Sequence, residues 1–134
     1  TCSHPVMSTD FFPTFVKAAG AKPKGIGPID GVDLMPLLKG GDKLERDALY
    51  WHYPHYNGHP HAVPSSVLRK GNWKLIETFD PESVQLYHLG KDLGETTNLA
   101  KSEPAKLAEL SKELETWRRN IDAEMMEPNP DYRP

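Results

Sequence analysis

The sequence predicts an α+β fold: a small four-stranded antiparallel sheet with a long C-terminal helix packed on one face, preceded by a short helical arm. Three observations predict it. Four short segments rich in β-branched and aromatic residues follow one another from Ala48, each bounded by turn residues. A leucine stripe at helical spacing comes after them, and a phenylalanine-rich stretch with helix stop signals comes before.

The arm opens with "STDFFPTFVKAAG". Ser8, Thr9 or Asp10 can cap a helix there, Pro13 is tolerated in its first turn, and Gly20 suits a left-handed stop. Phe11, Phe12, Phe15, Val16 and Ala19 share one apolar face of that helix. The Gly- and Pro-rich "AKPKGIGPIDG" is a loop. Beyond it, Asp33 caps a second short helix in "LMPLLKGG", stopped at Gly40.

The strands are "ALYWHY", "SSVLRK", "WKLIETF" and "VQLYHL". Lys70-Gly71-Asn72 joins the second to the third. Asp80-Pro81-Glu82-Ser83 turns the third into the fourth, with Pro81 expected at the first central position. Connections this short make an antiparallel meander, because a parallel crossover needs about a dozen residues. In the last helix Ser102 or Glu103 is the cap and Pro104 lies in the first turn. Leu107, Leu110, Leu114, Trp117 and Ile121 form a narrow stripe that must lie on the sheet. Glu115 precedes Arg118 and Arg119 at helical pairing distance. The tail "EPNPDYRP" is too rich in proline for helix or central strand and runs extended.

The fourth strand is apolar on both sides, with Val84 and Leu86 on one and Tyr87 and Leu89 on the other. One helix covers one face. The second face and the phenylalanine-rich helix therefore call for a further partner, which is either a missing domain or a second copy associating through the exposed apolar face.

Bulk properties narrow the function. The 134 residues are one domain's worth of chain, and a net charge of −3 leaves no basic excess to neutralise phosphates, which argues against nucleic acid as the main partner. No window approaches membrane-span length. The lone Cys2 cannot form an intramolecular disulfide. The opening "TCSHPVMSTD" has no initiator methionine, basic n-region or apolar h-region, so the chain is expected to be an excised piece of a longer protein.

The most conspicuous stretch is "YWHYPHYNGHPH", Tyr50 to His61, which carries His52, His55, His59 and His61, four of the six histidines. A zinc site needs three or four ligands converging at about 2.0–2.1 Å. His52 and His55, three apart, point to opposite sides of a strand unless Pro54 breaks it, and neither cysteine nor a nearby acid completes a set. A second reading makes these residues strand-end aromatics that pack against a neighbouring domain, with the imidazoles hydrogen-bonded or solvated.

Several segments, in order, resemble the carboxy-terminal part of the formylglycine-dependent sulfatases of the alkaline-phosphatase-like superfamily. "STDFFPTFVKAAG" is similar to that family's Asp-x-x-Pro-Thr helix, and "IDGVDLMPLLKG" to its Asp-Gly-x-x-Leu-x-Pro-Leu-Leu stretch. "RKGNWKLIE" resembles the Arg-x-Gly-x-Trp-Lys-Leu strand pair. "LYHLGKDLGETTNLA" resembles the Leu-Tyr-x-Leu-x-x-Asp-x-x-Glu-x-x-Asn-Leu run, with Leu93 where proline is common, and "WRRNIDAEMMEPNPDYRP" fits the helix end and tail.

The resemblance implies a sulfuric ester hydrolase whose intact form carries formylglycine and calcium. It places both amino-terminal to the Asp-x-x-Pro-Thr helix, so no catalytic residue, metal ligand or cofactor is expected in this chain. The sequence agrees. Cys2 is followed by Ser3 and His4 rather than by the Cys/Ser-x-Pro/Ala-x-Arg pattern, and in the register starting at Ser3 the arginine position holds Met7. The expected organisation is a 1–47 arm that belongs to or packs on the catalytic domain, then a 48–134 C-terminal subdomain. The implied partners are the missing N-terminal catalytic domain and a sulfated carbohydrate or aryl sulfate.

The same resemblance opens a third reading of the histidines, as part of the rim of the substrate pocket. His52, His55, Tyr56, His59 and His61 suit sugar hydroxyls and sulfate oxygens, and Arg69 and Lys74 could reach anionic groups or remain solvated strand charges. Asp92, Glu95 and Asn98 are turn and capping residues rather than a calcium loop. The rival to the enzyme reading is a stand-alone carbohydrate- or metal-binding module that uses the His/Tyr-rich loop. Export to the periplasm or beyond is what the resemblance implies for localisation.

Overall fold

A computed structural model of the chain describes residues 2–22, 27–59, 62–127 and 129–131. It divides into two compact units, Thr1–Asp47 and Ala48–Pro134.

In the first unit a 3-10 turn, Ser8–Asp10, leads directly into α1, Phe11–Ala18, and a short α2 spans Met35–Leu38. Their arrangement depends on Asp10, which is fully buried. Its carboxylate accepts the Met7 N–H at 2.9 Å and the Val32 N–H at 3.0 Å. It also takes both arms of the Arg46 guanidinium, at 2.6 and 2.8 Å. Asp10 therefore reaches back to Met7 and across to Val32, where the sequence pointed to a simple N-cap. Thr14 continues the tie: its hydroxyl donates to the Asp10 carbonyl at 2.6 Å and accepts the Leu34 N–H at 2.9 Å. Gly31 lies where the two segments cross, and a Cβ there would sit 2.0 Å from the Thr9 carbonyl oxygen, so only glycine fits. Asp33 accepts the Met35 N–H at 2.8 Å from just before α2, whose N-cap position is Leu34, one residue later than the sequence indicated.

Burial by itself raises the Asp10 pKa. The Arg46 hydrogen bonds, the Met7 and Val32 N–H groups and the guanidinium charge outweigh it and hold the pKa at about 2. The phenylalanines of α1 are not part of this core. Phe11 and Phe15 stack on each other with ring centroids 6.0 Å apart, yet they are 53% and 66% exposed.

The second unit is a meander in spatial order β1-β2-β3-β4, all antiparallel. The strands are Ala48–Tyr53, Ser65–Lys70, Trp73–Phe79 and Glu82–His88, with the long helix α3 over Pro104–Asn120. β4 starts two residues before the expected Val84, because the turn is tighter than the sequence indicated. Phe79 pairs directly with Glu82, so Pro81 takes the second central position of a two-residue loop, and the Asp80–Pro81 peptide is cis. Gly71 turns β2 into β3 at φ +54°, a conformation glycine adopts readily.

Register places Tyr50, Leu68, Leu75 and Leu86 in one cross-strand row. Leu68, Leu75 and Leu86 are completely buried against Leu110 and Leu114 of α3, and Leu107 and Trp117 pack beside them. Tyr50 stacks on Trp117 at 4.8 Å between centroids with the planes 9° apart. Ile121, the last member of the predicted stripe, follows the helix end and is exposed. Polar ties fix the helix along the sheet: Lys70 to Glu113 at 2.9 and 3.0 Å, the Tyr50 hydroxyl to Glu113 at 3.0 Å, and Arg118 to Glu77 at 2.7 Å.

The outer edge of β4 is closed by the segment that follows it. Asn98 Oδ1 accepts the Leu86 N–H at 3.0 Å and the Leu99 N–H donates to the Leu86 carbonyl at 2.7 Å, satisfying an edge that would otherwise invite another strand. The loop "DLGETTN" is held by Asp92, whose carboxylate accepts the Thr97 N–H at 2.9 Å.

Two stability predictions follow from these contacts. Leu114→Ala empties the centre of the leucine cluster and is expected to cost about 2–5 kcal/mol in urea unfolding. The depressed Asp10 pKa adds stability that is present above the ordinary carboxylate pKa of 3.8 and lost as pH falls toward about 2. That contribution is on the order of 2 kcal/mol. Unfolding titrations across this window should show the loss in the wild type and a shallower pH dependence in Asp10→Asn.

Candidate functional site

Alternation along each strand sorts the candidate residues by face. The face under α3 carries Ala48, Tyr50 and His52 of β1; the other face carries Leu49, Trp51 and Tyr53, with Val67, Arg69, Lys74, Ile76, Gln85 and Tyr87 from the neighbouring strands.

His52 is committed to the fold. Its Nδ1 lies 2.7 Å from Ser66 Oγ and its Nε2 lies 2.7 Å from the Glu124 carbonyl oxygen. A carbonyl only accepts, so Nε2 carries the proton, and in the neutral ring Nδ1 accepts from the serine hydroxyl. The imidazole also meets the Phe79 ring edge-on. It ties β1 to β2 and to the segment after α3.

Past Tyr53 the chain leaves the sheet, and the remaining candidates lie in the β1–β2 connection. His55 is exposed and packs edge-to-face on Tyr53, centroids 5.4 Å apart. Asn57 organises the bend by accepting the His59 N–H at 2.8 Å. The Tyr56 hydroxyl donates to Asp80 Oδ2, which bridges this loop to the β3–β4 turn at the same end of the sheet. That hydrogen bond, followed by desolvation and the carboxylate charge, pushes the Tyr56 phenol above its ordinary value. His61 lies outside the described residues.

Arg69 and Lys74 are brought together elsewhere. They are direct cross-strand partners at the far end of the meander, four residue pairs from the Ser65–Thr78 pair, about 13 Å along the strands. The Lys74 ammonium is held by both oxygens of Glu95, at 2.7 and 2.8 Å. Tyr87 follows in the same row, and burial, then the charges of Glu95 and Asp92, raise its phenol pKa. The structure thus makes two clusters from the sequence candidates, a His/Tyr loop at one end and a basic pair at the other.

Neither cluster fits the calcium and formylglycine that the sequence resemblance implies. Among the described residues no group of three or more His, Cys, Asp or Glu is placed to hold a metal ion. Cys2 is exposed and lacks the arginine of the modification pattern. Among the described residues no helix is long and apolar enough to cross a membrane.

Sequence reasoning missed Arg46, Glu113 and the uncovered aromatic row. Arg46 lies in a charged linker, "KLERD", with no local signal of its buried partner. The aromatic pair did have one: Leu49, Trp51 and Tyr53 alternate with period two on the face away from α3, where Leu49 is buried and Trp51 and Tyr53 stay 39% and 44% exposed.

Comparison with known proteins adds the wider context. The family model for the N-sulphoglucosamine sulphohydrolase C-terminal region matches residues 1–122. The chain is 32% identical over 127 residues to a sulfatase of Formosa agariphila, covering 84% of this chain and 23% of that protein. It is 33% identical over 141 residues to arylsulfatase A of Homo sapiens, covering 87% and 27%. Among solved structures it resembles BT4656, determined in complex with its substrate D-glucosamine-2-N,6-O-disulfate, with a TM-score of 0.72, 27% identity, and coverage of 86% of this chain and 24% of that one. The phosphonate monoester hydrolase of Agrobacterium radiobacter also matches, with a TM-score of 0.62, 27% identity, and coverage of 83% and 24%. The chain spans about a quarter of the length of these relatives. A sulfatase and a phosphonate hydrolase share this fold, so it does not set the reaction by itself.

The bridge between Tyr56 and Asp80 can be tested directly. Asp80→Asn removes the carboxylate that raises the Tyr56 pKa, and a spectrophotometric tyrosinate titration should show one phenol moving down toward the ordinary value. An unchanged titration would mean that the loop is not tied to the β3–β4 turn.

Proposed function

This chain belongs to the family of N-sulphoglucosamine sulphohydrolase C-terminal regions, and on that premise we propose that it is the carboxy-terminal part of a sulfuric ester hydrolase, supporting a catalytic portion that precedes it in the same polypeptide. The observation that carries the reading is the family match through arm and sheet alike, combined with coverage of about a quarter of each relative. Formylglycine and calcium would belong to the preceding portion, since the residues here fit neither. The arm, with Phe11, Phe12 and Phe15 exposed, would pack on that portion.

The substrate class is a sulfate ester on a carbohydrate or an aryl group. The β1–β2 loop is the part of this chain suited to meet it. His55, Tyr56 and His59 are exposed, offer flat apolar faces and hydrogen-bonding groups, and are held in place through Asp80 and Asn57. His61 joins them on sequence grounds. His52 is occupied in joining strands, and Arg69 and Lys74 stand about 13 Å along the strands from that end, so the reading rests on the loop residues. A free-standing metal-binding module has less support, because His52, His55 and His59 do not gather into a donor set.

The purified chain alone should not turn over a chromogenic aryl sulfate above a buffer control, whereas the intact polypeptide should. Turnover by the chain alone would contradict the reading. In the intact enzyme His55→Ala or Tyr56→Phe should raise KM about 2–10-fold with a smaller effect on kcat, the loss of a single substrate hydrogen bond. Unchanged KM in both variants would remove the loop from the rim.

A further inference from the structure

The chain holds five asparagines, and only Asn57 is followed by glycine. Asn72, Asn98 and Asn120 precede Trp73, Leu99 and Ile121, whose side chains crowd the next peptide nitrogen. Asn129 precedes Pro130, which has no N–H. The backbone does not require Gly58: a Cβ there would meet nothing within 4 Å, and its φ lies outside the left-handed region that favours glycine. What the glycine provides is an unshielded peptide nitrogen. Both residues are exposed, and among the described residues no acceptor takes the Gly58 N–H.

The Asn57 side chain is folded toward that nitrogen. Its Oδ1 accepts the His59 N–H at 2.8 Å, an Asx turn that brings the side-chain carbonyl across the following peptide. The donor is a backbone N–H, so the atom facing it is the oxygen, and Nδ2 points the other way, 3.4 Å from the Tyr53 hydroxyl. The His59 N–H draws electron density from Cγ and stands where negative charge gathers on Oδ1 when a nucleophile adds to that carbon.

We propose that Asn57 is a site of spontaneous covalent modification, and that the modification weakens the hold of this loop on a sulfate ester. The Gly58 nitrogen gives its proton to hydroxide and bonds to Asn57 Cγ. The Cγ–Nδ2 bond breaks, and Nδ2 leaves as ammonia with a proton from water. Water then opens the resulting succinimide on one of two sides. Breaking the new bond to Gly58 gives aspartate; breaking the original main-chain bond gives isoaspartate, with the side-chain carbons now in the main chain. Nothing is oxidised or reduced, and either product carries a carboxylate where a neutral amide stood. The second half of the proposal rests on the reading of this loop as substrate rim. A negative charge beside His55, Tyr56 and His59 repels a sulfate oxyanion, and isoaspartate also displaces His59.

Two experiments test it. The 134-residue chain, aged in mildly alkaline buffer, digested and examined by mass spectrometry, should show deamidation and isoaspartate at Asn57 well before Asn72, Asn98 or Asn120. Gly58→Ala, for which the turn has room, should slow that conversion about tenfold. No conversion at Asn57, equal conversion at the other asparagines, or an undiminished rate in Gly58→Ala would each overturn the proposal. In the intact polypeptide, Asn57→Asp should raise KM for a sulfate ester about 2–10-fold, and the effect should shrink as salt is added. Aged wild type should show the same rise. An unchanged KM in Asn57→Asp, or a rise indifferent to salt, would overturn the proposed effect on binding. Sulfatase turnover by the fresh wild-type polypeptide is scored separately: if it is present while these arms fail, the sulfatase reading stands and only this inference falls. If it is absent, the reading and the proposed effect on binding fall together.

Discussion

A four-stranded sheet has two faces, and this unit has one helix to cover them. That constraint organises the structure. The row Leu68–Leu75–Leu86 is driven out of water onto Leu110 and Leu114, which sets the position of α3 and gives the unit its core. The other face keeps Trp51 and Tyr53 in contact with solvent. That second face is dry at one end, where Leu49 and Tyr87 are buried, and open at the other, where the aromatic side chains meet water, and the proposed attachment to a catalytic portion draws on that open end.

The polar groups follow the same logic. Arg118 with Glu77 and Lys70 with Glu113 fasten helix to sheet at the margin of the leucine core; solvent screens the more exposed Lys70 pair, whose individual worth is small, and reaches the Arg118 pair less. Asp10 with Arg46 differs because the acid is fully buried and every contact is inward. Removing one partner there leaves an uncompensated charge, so the pair both fixes how the arm folds and stabilises it above the carboxylate range. Asn98 does comparable work without charge, closing the open edge of β4 with its side-chain amide.

The strands and α3 were legible because their signals are local and periodic. Residues at alternating or three-and-four spacing declare a face, and turn residues mark the ends. The motif segments were legible as a pattern before their physical role was visible: Asp10, Thr14 and Gly31 lock two segments about twenty residues apart in sequence. What could not be read was pairing between distant polar groups. Nothing near Arg46 announces Asp10, and Arg69 and Lys74 look like two solvated strand charges until the register sets them opposite each other. The histidines illustrate the same limit. Four imidazoles within ten residues look like one feature, yet the fold commits His52 to strand pairing and leaves His55 and His59 in a loop.

The account is tested most directly by reading the coding sequence in frame upstream of the Thr1 codon. It predicts an open frame of several hundred codons carrying a Cys/Ser-x-Pro/Ala-x-Arg motif, the portion that would supply the nucleophile and the metal site. A start codon just ahead of Thr1 would contradict it. The exposed sheet face would then have to be satisfied by something other than a catalytic domain of the same polypeptide.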